Sequence, residues 1–126
     1  MTLGFSTAAR AARMNALATQ AGSNAWLRIY SGTRPATGGT ATTLLVELQC
    51  TTTLAPTTST ATITLNPFST ALILNSGTAT WFRIATSASV AVIDGQYGTD
   101  LQGSTATFVQ GSQTALTSFT LTDGNP

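Results

Sequence analysis

The chain has no His and no Lys, so a Ser or Cys nucleophile would lack its ordinary base. Asp94 and Asp100 bracket the stretch DGQYGTD, and two close carboxylates can divide the roles of acid and base. Asp-Gly and Gly-Thr-Asp are also common turn residues, which is the simpler reading. As a calcium loop the stretch lacks alternating acids and a terminal Glu. Gly38-Gly39-Thr40 and Gly77-Thr78 have neither the glycine spacing nor the Lys of a phosphate loop. The lone Cys50 leaves no intrachain disulfide and no thiolate zinc cluster, and reads as a small core residue. These residues point to a non-enzymatic protein with no metal and no cofactor.

A second kind of chemistry is written twice. Trp26-Leu27-Arg28-Ile29 and Trp81-Phe82-Arg83-Ile84 share the string W-x-R-I, in a chain with only two Trp and five Arg. On a strand, alternate side chains share a face. Trp26, Arg28 and Tyr30 then lie together, as do Trp81 and Arg83, while Leu27/Ile29 and Phe82/Ile84 form core pairs behind them. An Arg stacked on an indole contributes about 0.5–1 kcal/mol when exposed and about 2 when desolvated. Trp, Tyr and Arg are also enriched at interface hot spots. Two covers fit such a face: the chain's own helix or long loop, or another chain.

The elements that must position these residues follow from the pattern. Ser6 is a helix cap, Thr7 to Ala21 is dense in Ala, and Gly22 closes the far end. Met14, Leu17 and Ala21 form a thin apolar stripe beside Arg10 and Arg13, as in a helix lying close against another surface. From residue 23 onward the period is two. Candidate strands are Ala25–Ser31, Leu44–Cys50, Thr60–Asn66, Ser69–Leu74, Ala79–Thr86, Ser89–Asp94, Thr105–Gln110 and Thr114–Thr122, separated by turns such as Asn66-Pro67, Asp94-Gly95 and Gly103-Ser104. The expectation is one mainly β domain: an antiparallel β-sandwich or jelly-roll-like unit of about eight strands over residues 23–126, carrying an N-terminal arm and α-helix over 1–22. Gly32 to Thr43 is the longest irregular stretch and a candidate contact loop. Thr51 to Thr60 reads as a loop or a poorly packed edge.

Composition narrows the partners. Charged residues are 7% of the 126 residues, against roughly 25% in ordinary soluble proteins. Arg10, Arg13, Arg28 and Arg34 all precede the first acid, whereas from Glu47 onward Arg83 stands against Glu47, Asp94, Asp100 and Asp123. The halves can neutralise each other within one fold or dock between neighbouring subunits. Few charges suit a permanent assembly more than a crowded monomer. Scattered Arg give no groove for nucleic acid, and no apolar run or leader suggests a membrane partner.

The stretches LRIYSGTRPATGGTATTLLVELQC, GTATWFRIATS and TSFTLTDGNP, with the N-terminal Ser-Thr-Ala-Ala-Arg helix, resemble small Thr- and Ala-rich proteins encoded among the virion structural genes of tailed bacteriophages and prophages. The resemblance implies a virion component assembled in the bacterial host cytoplasm. It also implies a capsid decoration or cement protein, a homo-oligomer and commonly a trimer, partnered with itself and with the major capsid protein or other virion proteins. A tail, neck or baseplate subunit is the alternative, and a host-glycan module using Trp26, Tyr30 and Trp81 is a third. No catalytic residue is carried over. The expected contacts are Arg10, Arg13, Trp26, Arg28, Tyr30, Arg34, Trp81 and Arg83. The stretch DGQYGTDLQGSTATF departs from the resemblance.

Overall fold

The computed structural model describes residues 4–50, 52–66, 68–99, 101–102, 107–114 and 120–122. Asp100, Asp123, Pro67, the Gly103-Ser104 turn and residues 115–119 of the last expected strand lie outside them. Helix α1 spans Thr7–Ala21. It is followed by β1 (Trp26–Ser31), β2 (Thr43–Gln49), β3 (Thr62–Thr64), β4 (Ala71–Leu72), β5 (Gly77–Thr78), β6 (Trp81–Ala85), β7 (Ala91–Gln96), β8 (Leu101–Gln102), β9 (Thr107–Phe108), β10 (Gln113–Thr114) and β11 (Thr120–Thr122). The chain is mainly β and antiparallel, with its helix at the N-terminus. Several of the expected strands are present as short pairings of two or three residues.

The main sheet has the order β2-β1-β6-β7. Its inner face carries Leu27, Ile29, Val46, Leu48, Phe82 and Ile84, all without solvent exposure. A second layer of small sheets, β3-β11-β8, β4-β10 and β5-β9, supplies Ile63, Leu121 and Phe108 to the same core, joined by Ile73 just past β4. Between Ile29 and Tyr30 the register with β2 slips by one residue, leaving Leu45 as the bulged residue between the partners Leu44 and Val46. Bulging turns Leu45 inward beside Val46, so both are buried. Leu45 packs close to Gly77, where an added Cβ would come within 3.0 Å of it. Its carbonyl accepts from Leu74, closing the outer edge of β2.

Ser6 caps α1 by accepting from the Ala9 amide at 3.2 Å, and Gly22 ends it at φ +73° with its N–H on the Ala18 carbonyl. The helix is not a free arm. Met14 and Ala21 are members of the hydrophobic core cluster, with Leu17 and Ala18 packed against it. The Asn15 side chain adds a polar lock, donating to the Thr58 carbonyl and accepting from the Thr58 amide, both at 2.9 Å. That pairing, with fully buried Leu54, holds the Thr-rich segment 52–61 as an anchored loop. Asp94-Gly95 is not a turn: both residues lie within β7, because Ile93 and Gly95 pair with Ile84 and Phe82 on the inner side.

Candidate interaction face

The outer face of the main sheet is built in rows set by the register. Glu47, Arg28, Arg83 and Asp94 line up across β2, β1, β6 and β7. On one side of this row stand Gln49, Trp26, Ala85 and Ala91, and on the other Leu44, Tyr30, Trp81 and Gln96. The doubled string is therefore two antiparallel neighbours, with Arg28 opposite Arg83, Leu27 opposite Ile84 and Ile29 opposite Phe82. Like charges directly opposite each other destabilise a sheet. Here each Arg is flanked by an acid on its outer side: Arg28 Nε lies 3.0 Å from Glu47 Oε2, and Arg83 Nε lies 2.7 Å from Asp94 Oδ1.

The two pairs differ in depth. Arg28–Glu47 is partly open, with Glu47's side chain 37% exposed. Asp94's carboxylate is fully buried and is gripped twice by Arg83, whose Nη2 donates to Oδ2 at 2.8 Å. Oδ2 also accepts from the Gly38 amide at 2.9 Å. Burial alone would raise the Asp94 pKa, but the Arg83 hydrogen bond, the Gly38 amide and the charges of Arg83 and Arg34 hold it below the ordinary carboxylate value. The same hydrogen bond keeps Arg83 above its usual value.

The loop of residues 32–42 covers one end of the face. Trp81 is wholly buried and stacks on Tyr30, with centroids 4.2 Å apart and planes 12° from parallel. Its indole N–H donates to Thr42 Oγ1 at 2.9 Å, and that hydroxyl in turn donates to the Ser31 carbonyl. Arg83 Nη2 reaches the Gly39 carbonyl at 2.9 Å, and Arg34 reaches the Asp94 carbonyl at 3.1 Å. Gly39 has no room for a side chain, since a Cβ would meet the Ala36 carbonyl at 2.9 Å. The cover over this end is thus the chain's own loop and not the helix.

The other end stays more open. Trp26 is half-buried, with the Arg28 guanidinium 5.3 Å from its ring centre. Arg28 Nη2 donates to the Ser89 hydroxyl at 2.9 Å. Ser89 sits at φ +66°, in the left-handed position of the β6–β7 turn that usually falls to Gly. Exposed Val90 follows it.

Six of the eight expected contact residues, Trp26, Arg28, Tyr30, Arg34, Trp81 and Arg83, come together on or over this face. Arg10 and Arg13 do not: they lie on α1, where Arg13 stands 4.3 Å over the Phe5 ring. The sequence placed Thr42 only within the candidate contact loop and Glu47 and Asp94 among the acids that balance the Arg, and it gave no role to Ser89. Val46-Glu47-Leu48 keeps the strand period, so Glu47 lies opposite the core side there, and the bulge alters only the placing of Leu44 and Leu45. Cys50 is a buried core thiol, its pKa pushed up to about 11 by burial, partly offset by a backbone hydrogen bond. Among the described residues no group of acids, His and Cys is arranged to hold a metal, and no helix is long and apolar enough to cross a membrane. No protein-family model matches the chain, and no curated protein or solved structure matches it.

Proposed function

We propose that the chain is a non-enzymatic structural subunit of a tailed-phage virion, most simply a capsid decoration or cement protein acting as a homo-oligomer. The observation that carries this reading is the segregation of charge. The segments between Glu47 and Arg83 and between Asp100 and Asp123 contain no charged residue. They supply every strand of the second layer, where Leu72 and Val109 are more than half exposed and Leu74 is 41% exposed. Surfaces depleted in charge and carrying exposed aliphatic groups suit permanent protein–protein contact. The resemblance of the loop and WFRI segments to phage virion proteins supplies the setting.

Density for the assembled particle tests the proposal. Many copies at repeated positions on the shell support the capsid reading, and a single ring of subunits at the neck or tail supports the alternative. Absence of the chain from the particle rejects both. The host-glycan reading loses two of its three rings, because Tyr30 and Trp81 are buried.

A further inference from the structure

We propose that residues 32–42 form a strap that opens and closes as one unit over the Tyr30–Trp81 stack, with Asp94 as its latch. The inference stands apart from the virion reading. The strap's hold on the face is polar. None of its own side chains is buried, so it contributes no apolar anchor to the core. Beyond the Thr80 hydroxyl on the Gly32 carbonyl at its first root, its attachments across to the sheet are Gly38 to Asp94 Oδ2, Arg34 to the Asp94 carbonyl, Arg83 to the Gly39 carbonyl, and Trp81 to Thr42. Two of these end on Asp94, and a third uses the guanidinium that Asp94 orients.

The strap is also built to swing. It leaves β1 at Gly32, φ +89°, and turns at Gly38, φ +78°, conformations that side chains resist. At its second root the Thr42 hydroxyl joins the Trp81 indole to the Ser31 carbonyl and lets go with the rest of the strap, while the β1–β2 pairing, which begins at Ser31 and Thr43, stays closed. Beneath it lie Trp81, with no exposure, Tyr30 at 5%, and the Arg83 guanidinium. Segments held by a few polar contacts with no buried apolar groups open at lower free energy than the core. Opening gives solvent access to the most aromatic part of the face while the inner face stays packed.

Hydrogen exchange followed by NMR on the intact chain tests this. The Gly38 amide and the Trp81 indole N–H are expected to exchange with one shared opening constant, about tenfold or more faster than the amides of Leu27 and Ile29, and with little dependence on denaturant. Exchange of both only in step with those core amides overturns the strap. Thr42→Val removes the indole's acceptor; Gly38 must then also exchange several-fold faster, and an unchanged Gly38 overturns motion as a unit. Asp94→Asn must speed both strap protons about tenfold relative to the core amides. If all sites accelerate by the same factor, Asp94 acts on the whole fold and is not a latch.

Discussion

The carboxylate of Asp94 is held by Arg83 through two hydrogen bonds of 2.7 and 2.8 Å, with the acid's side chain entirely out of solvent and the base's 11% exposed. Removing one member of such a pair strands the other. Asp94→Ala is expected to cost about 3–5 kcal/mol in chemical denaturation. Glu47→Gln, at the partly open pair in the same row, is expected to cost less than about 1 kcal/mol. Equal losses would show that depth does not separate the pairs.

Acid should act through the same site. Because Asp94's folded pKa lies below the ordinary carboxylate value, its contribution to stability is complete above that value, about 3.9, and drains away as pH falls through the depressed one. Stability measured from about pH 5 to pH 2 should therefore fall, and the slope should flatten in Asp94→Asn.

Ser89 combines a left-handed backbone in the β6–β7 turn with a hydroxyl that accepts from Arg28. Ser89→Gly relieves roughly 1 kcal/mol of backbone strain and gives up a hydrogen bond of similar size, so its stability should stay near that of the natural chain. Ser89→Ala keeps the strain and loses the bond, and should fall by about 1 kcal/mol. A lower melting temperature for Gly than for Ala would contradict this.

Asn15 joins the helix to the backbone of Thr58 from both sides. Asn15→Ala leaves a part-buried donor and acceptor without their partner and should cost about 1–3 kcal/mol. Amide exchange should localise the loss to residues 52–61 and α1.

The two Trp should respond differently to truncation. Trp81 is fully buried against Tyr30, so Trp81→Ala is expected to cost about 3–5 kcal/mol and to impair folding. Trp26 is half-buried at the open end, and Trp26→Ala should cost clearly less. Under the proposed function, Trp26→Ala is then the variant that reports on assembly, read by sedimentation of the folded protein.

Much of this was legible from residue types and spacing. The Ser6 cap, the Ala-rich run and Gly22 set the ends of α1, because the signals for starting and stopping a helix are local. The alternation of Trp26 to Tyr30 and of Trp81 to Ile84 separated a core side from a Trp-Arg side, because the strand period is a property of the backbone. That a Ser or Cys nucleophile would lack its ordinary base follows from composition alone, since the chain has no His and no Lys.

Tertiary structure decided what those residues meet. That the two W-x-R-I strings are adjacent antiparallel strands, with Arg28 against Arg83, depends on strand order, which no local pattern encodes. The bulge at Leu45 shifts which β2 residues share the face, and it is fixed by packing against Gly77 and by the Leu74 amide, both distant in sequence. Asp94 looked like a turn residue because Asp-Gly favours turns, yet pairing of its neighbours with β6 keeps it in a strand. Composition by itself determined a charge-poor β protein. Only the closing of residues 32–42 over Trp81 decided that one of its two Trp-Arg pairs is buried and the other stays partly open, since long-range hydrogen bonds set that difference.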